Sequence, residues 1–183
     1  MSEKSKEKGN VKIAVVRVRG SVHVNEKILD TLSMLHLKRV NHCVVIDNAA
    51  VPMGMVKKAK DYITWGEIDE KTLTRLLEKW GRIEGDKKLS HERLKEKNFS
   101  SIADFSKNIF DGKAKFSDVG LKPVFKLHPP SKGYERGGIK KHFNIGGALG
   151  YRGAKINDLI AKMAGLKTEH GSKGQKDREK KGQ

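Results

Sequence analysis

The chain contains a single cysteine, Cys43, among 183 residues, so it cannot form an internal disulfide. With no cysteine pair, no His-Glu-x-x-His and seven scattered histidines, it offers no metal-ligand spacing, and no metal site is expected. No apolar run approaches the ~18 residues of a membrane helix. Met1 to Asn10 is rich in Lys, Glu and Ser without the apolar stretch of a secretory signal. These absences point to a cytoplasmic protein with no membrane partner. Acids are also scarce, at 22 against 39 Lys and Arg. The resulting net charge of +17 points to a polyanion, and nucleic acid is the expected partner.

Catalytic patterns are missing too. Gly147, Gly150 and Gly153 follow G-x-x-G-x-x-G rather than G-x-G-x-x-G, and Ala154 stands where a phosphate loop would continue with Gly-Lys-Ser/Thr. Gly150-Tyr-Arg-Gly153 fits the bare GXXG of a KH module but lacks the flanking pair of helices. No carboxylate pair stands beside a nucleophile. The expectation is a non-enzyme with no catalytic residue, no cofactor and no small-molecule substrate.

What the chain does have is concentrated between Lys122 and Lys155. These 34 residues hold eight Lys or Arg against one acid, Glu135, with seven glycines and three of the four prolines. Basic side chains neutralise phosphates, glycine lets the backbone approach closely, and aromatics can stack on unpaired bases. Lys132, Arg136, Lys140, Lys141, Arg152 and Lys155 are the leading phosphate contacts. Tyr134, His142, Phe143 and Tyr151 either stack on bases and touch sugars or simply pack. The stretch is expected to order only on RNA.

Upstream, Val11 to Val18 reads as a β-branched strand, and Asn25 to Leu37 as a helix capped by Asn25. A strand at His42–Asp47, a helix near Pro52–Lys60 and a strand at Tyr62–Glu67 complete a βαβαβ unit. Glu70 to Trp80 carries a Leu73, Leu76, Leu77, Trp80 stripe, and Ser101 to Phe110 forms another helix. A last helix over Lys155–Ala164 presents Ile156, Leu159, Ile160 and Met163, an apolar face that needs a surface to cover. The core adds a second basic set. Arg17 and Arg19 project alike from the end of the first strand, Lys38 and Arg39 occupy the next loop, and Lys57, Lys58 and Lys60 ride the second helix.

Two separated segments carry a family resemblance. Leu32-Ser-Met-Leu-His-Leu-Lys-Arg-Val followed by Asp47-Asn-Ala-Ala-Val-Pro-Met-Gly-Met-Val-Lys-Lys-Ala-Lys resembles the core of the large-subunit ribosomal protein L-thirty family, called L-seven in eukaryotes. Gly133-Tyr-Glu-Arg and Gly146-Gly-Ala-Leu-Gly-Tyr-Arg-Gly are similar to the extension of its archaeal and eukaryotic members. No long basic N-terminal arm precedes the core, which fits the archaeal type.

The resemblance implies an α+β fold, a small three-stranded βαβαβ core related to ferredoxin-like folds with a helical, Gly-rich basic C-terminal extension. The expected divisions are a polar segment at 1–10, the core at 11–68 and the extension at 69–166, while 167–183, with no apolar residue and no counterpart in the resemblance, reads as a disordered basic tail. The resemblance further implies a structural constituent of the 50S subunit in the cytoplasmic ribosome, bound to 23S rRNA, near 5S rRNA and beside other large-subunit proteins. Gly54 serves either close RNA approach or tight helix–sheet packing.

Overall fold

The computed structural model describes residues 11–90, 93–94 and 99–166. The segments expected at 1–10 and 167–183 lie outside the described residues. Strand β1 (Lys12–Arg17) is buried along its whole length, which explains its nearly unbroken apolar sequence. It is the centre of the sheet. Strand β2 (His42–Asp47) pairs antiparallel on one side and β3 (Ile63–Glu67) antiparallel on the other. Strands β2 and β3 therefore run parallel to each other with β1 between them, a split βαβ arrangement.

Helix α1 (Glu26–Met34) begins where the Asn25 side chain accepts from the Lys27 amide at 3.0 Å. Helix α2 (Ala50–Lys58) starts two residues before Pro52, which still falls in its first turn. Ile13 and Val15 on one face of β1 pack with Leu32, Leu35 and Val56 beneath these two helices. Ala14 and Val16 face the opposite way, into a larger core built with α3 (Glu70–Trp80), α4 (Ile102–Phe110) and α5 (Ile156–Ala164). Helix α4 is capped by Ser101, whose hydroxyl accepts from the Asp104 amide at 3.1 Å. In α5 the expected stripe of Ile156, Leu159, Ile160 and Met163 is buried against the sheet. The sheet is thus covered on both sides.

One expectation is enlarged. The sheet has five strands in the order β4-β2-β1-β3-β5, because the extension supplies both edges. Strand β4 (Val124–Lys126) pairs antiparallel with β2, and β5 (Gly150–Tyr151) pairs parallel with β3. At three and two residues, neither strand is long enough to show alternation in sequence. Gly66 permits the β5 side to close. A Cβ there would lie 2.1 Å from the Gly153 carbonyl oxygen, a distance no side chain tolerates.

Candidate RNA-binding surface

The pairing registers place the basic segments. Arg17 at the end of β1 stands opposite Ile63 at the start of β3, and Val16 stands opposite Cys43 near the start of β2. His42 stands opposite Lys126 at the end of β4, and Thr64 opposite Gly150 at the start of β5. One end of the sheet therefore collects Arg19 after β1, Lys38 and Arg39 before β2, Lys60 before β3 and Lys126 at the end of β4. Lys57 and Lys58 arrive with the last turn of α2, where they also complement its dipole. The opposite end carries Asp47, Glu67, Asp69 and Glu70, with Lys12 paired to Asp47. Lysines and arginines thus gather at one end of the sheet, with Asp61 and Asp86 as acids among them.

Within this basic end, two predicted contacts turn inward. Arg17 is only 2% exposed. Its Nε donates to the Arg19 carbonyl at 2.9 Å, and Nη1 donates to the Leu37 and Lys38 carbonyls at 2.8 and 2.9 Å. Nη2 donates to the Ser21 hydroxyl at 2.8 Å. Arg17 is therefore a strut that fixes the Lys38–Arg39 loop, and the expectation that it projects outward beside Arg19 is corrected. Its buried position satisfies carbonyls that would otherwise lack donors. Arg19 is half-buried over the Tyr62 ring at 5.0 Å and donates to the Asp61 carbonyl at 3.2 Å. Lys38, Arg39, Lys57, Lys58 and Lys60 are exposed.

Arg152 is the second correction. At 5% exposure it lies under the extension rather than on it. Nη1 and Nη2 donate to the two Glu135 carboxylate oxygens at 2.7 and 3.2 Å. Nε donates to the Thr64 hydroxyl at 2.9 Å, and Nη2 also to the Ala148 carbonyl at 3.0 Å. The guanidinium lies 4.6 Å from the centre of the Phe143 ring, so Phe143 packs as well as covers. The one acid of the basic stretch is thus an internal counter-ion.

Around this pair the Gly-rich segment has its own frame. The Gly137 amide donates to the Gly146 carbonyl at 2.8 Å, Phe143 to Leu149 at 2.8 Å, and Ala148 to Gly138 at 3.1 Å. A Cβ on Gly147 would lie 2.1 Å from the Lys141 carbonyl oxygen, so the turn closes only around glycine. The stretch forms a loop with internal hydrogen bonds and an ion pair buried on its Arg152 side. Lys132, Arg136, Lys140 and Lys141 nevertheless remain exposed on it.

The aromatics divide. Tyr134 is partly buried against Val18 and Leu149, and its hydroxyl donates to Asn41 Oδ1 at 3.1 Å, pinning the loop to the basic end. Burial pushes its phenol pKa up. His142 is exposed, with Nε2 at 3.3 Å from Asp61 Oδ1. Tyr151 stands away from this end. Its hydroxyl donates to Glu67 Oε1 at 2.7 Å, which raises its pKa. Lys155 is exposed with its ammonium 5.6 Å from the Phe143 ring. Gly54 faces open space, with no heavy atom within 4 Å of an added Cβ, so tight packing does not explain it.

Sequence reasoning missed Lys126 and Lys122 as site residues. They are bound by Asp86, whose Oδ1 accepts from Lys122 at 2.8 Å and Oδ2 from Lys126 at 2.9 Å. These two bonds hold the Asp86 pKa down at about 2. The available signal was the Lys122–Lys126 spacing around a short apolar run, legible only once β4 is known. Among the described residues, no group of three or more His, Cys, Asp or Glu could hold a metal ion. None of the described helices is long and apolar enough to cross a membrane.

The family described as Ribosomal protein L30p/L7e matches residues 13–63, the span from β1 to the start of β3. A large ribosomal subunit protein uL30 of Methanococcus maripaludis is 55% identical over 150 residues, covering 82% of this chain and 97% of its own. The chain belongs to this family. The uL30 protein of Methanococcus vannielii is 57% identical over the same shares, and that of Nanoarchaeum equitans 56% over 80% and 95%. These matches extend far beyond the 13–63 core, so the archaeal relatives share the extension that completes the sheet. The family is one of ribosomal large-subunit proteins and is structural rather than enzymatic.

Proposed function

We propose that the chain is a non-catalytic constituent of the large ribosomal subunit that grips 23S rRNA and lies near 5S rRNA, beside other large-subunit proteins. The supporting observation is the convergence at one sheet end of cations from four separate segments, with the basic extension loop fastened there by Tyr134. Arg19, Lys38, Arg39, Lys57, Lys58, Lys60, Lys132, Arg136, Lys140 and Lys141 supply the charge in this reading. His142 flanks them, while Lys155 and Tyr151 serve any RNA that follows the extension round the β5 edge. Arg17 and Arg152 act indirectly, by holding the loops that carry the contacts. The residues at 69–166 are read as the part that enlarges the hold of the 11–68 core.

Affinity should come chiefly from counter-ion release, because the exposed groups are cations on fixed backbone rather than paired readers of base edges. About six phosphate contacts, at roughly −0.7 to −0.9 each, give a slope near −4 to −5 for log affinity against log salt. Titrating the purified protein on a 23S rRNA fragment across salt concentrations measures it. A flat dependence would overturn the electrostatic grip. Sucrose-gradient fractionation checks the assembly: a stoichiometric subunit protein stays with 50S particles through a moderate salt wash, whereas a transient factor is released.

A further inference from the structure

A groove of about 290 Å³ opens along the β4 edge, between the end of the α1–β2 loop and the turn that carries Asp86. Its walls are largely apolar: Pro123 just before β4, Val124 at its start, and the imidazoles of His36 and His42. Lys38, Arg82, Lys122 and Lys126 surround it, against Asp86 as its one acid. The volume lies at the lower edge of small-ligand sites, roughly 300–1,000 Å³.

Apolar walls under a cationic rim match the two halves of a nucleotide. Bases stack on aromatic and apolar surfaces, and phosphates pair with ammonium groups. Lys122 and Lys126 already converge on one anion, since each binds a different oxygen of the Asp86 carboxylate. That carboxylate is exposed and occupies the position a phosphate would take between two lysines. Burial lowers the His42 pKa, and the neighbouring Lys126, Arg39 and Arg17 lower it further. The positive charge of the groove therefore resides chiefly in its rim.

We propose that this groove holds one unpaired nucleotide of the bound RNA, with its base against the Pro123–Val124 wall and its phosphate taken over by Lys122 and Lys126 from Asp86. Asp86 then acts as a built-in competitor that keeps the two lysines converged until RNA arrives. The inference rests on the RNA-binding reading above and assigns a site to residues outside the predicted contact set.

The test uses the full chain and fluorescence polarisation with a fluorescein-labelled single-stranded RNA oligonucleotide, compared with an RNA duplex of equal length. One phosphate contact at a slope of about −0.7 makes the double variant Lys122→Gln, Lys126→Gln roughly fourfold weaker on the single strand at ordinary salt. The loss on the duplex should stay below about twofold, since no unpaired base can enter. Asp86→Asn should bind the single strand about threefold more tightly, through removal of one competing charge. Asn is chosen because Asp86 has a φ of +59°, which Asn also tolerates.

Unchanged single-strand affinity in the lysine variant, equal loss on the duplex, or weaker binding by Asp86→Asn overturns the proposal. A poly-glutamate peptide competing as well as the oligonucleotide also overturns it, since the groove would then be a docking site for acidic protein. Lys140→Gln, Lys141→Gln is the reference. If it weakens RNA binding while the groove variants do not, the groove proposal alone falls; if neither pair matters, the wider RNA-binding reading falls with it.

Discussion

Replacing Glu135 with glutamine should loosen the extension from the inside. The substitution keeps the shape of the side chain but leaves the Arg152 guanidinium, itself 5% exposed, without its counter-ion. It also turns an amide NH₂ toward a group that can only donate. Removing one partner of a fully buried ion pair costs roughly 3–5 kcal/mol. The Glu135 side chain retains 30% exposure, so water compensates in part, and a loss of about 2 kcal/mol is the working value. For an ordered chain of this size, ~1 kcal/mol moves Tm by roughly 2–4 °C, so the variant should melt about 4–8 °C lower. Calorimetry measures that shift. Hydrogen exchange locates it, with faster exchange at the Gly137, Ala148 and Leu149 amides and little change in β1. Combining Glu135→Gln with Arg152→Met should cost less than the two separate losses added, because both remove the same interaction. A Tm within about 1 °C of the parent, equivalent to less than ~0.5 kcal/mol, would refute the counter-ion role.

Two further outcomes follow from the packing. Gly66→Ala puts a methyl group 2.1 Å from the Gly153 carbonyl oxygen and should destabilise by about 1–3 kcal/mol, measured by urea unfolding, with β5 separating from β3. Cys43 is buried, with its thiol pKa pushed up to about 12, so iodoacetamide at pH 8 should modify it only after denaturant is added. Its folded pKa lies above the unfolded value. The stability linked to it is therefore fully present below the ordinary thiol pKa and declines as pH rises toward 12.

Legibility in the sequence followed the length and regularity of each element. Helix α3 was readable to the residue, because Leu73, Leu76 and Leu77 repeat with the helical period and all three are buried. The Asn25 cap was equally legible, since a side-chain oxygen before an apolar repeat has an immediate local use. The edge strands were not. Val124–Lys126 is too short to alternate, and Gly150–Tyr151 is a strand only because β3 offers it an edge.

The candidate surface divided in the same way. That basic residues abound after Lys122 is a fact of composition, but which of them face outward depends on neighbours distant in sequence. Arg152 turns inward because Thr64, Glu135 and Ala148 surround it, and Thr64 is 88 positions away along the chain. Arg17 turns inward because the Leu37 and Lys38 carbonyls need a donor at the end of β1.

Residue order alone determined the βαβαβ core, the helices with their caps, the excess of positive charge and the family. The first three depend on local periodicity and composition, and the family on the matching segments Leu32–Val40, Asp47–Lys60, Gly133–Arg136 and Gly146–Gly153; all are readable without knowledge of contacts. The tertiary structure decided that the extension completes the sheet, that charge gathers at one end of it, and that two arginines brace the surface from beneath. Each of these arises where strand registers and buried hydrogen bonds join segments far apart in the chain, and no local pattern encodes that.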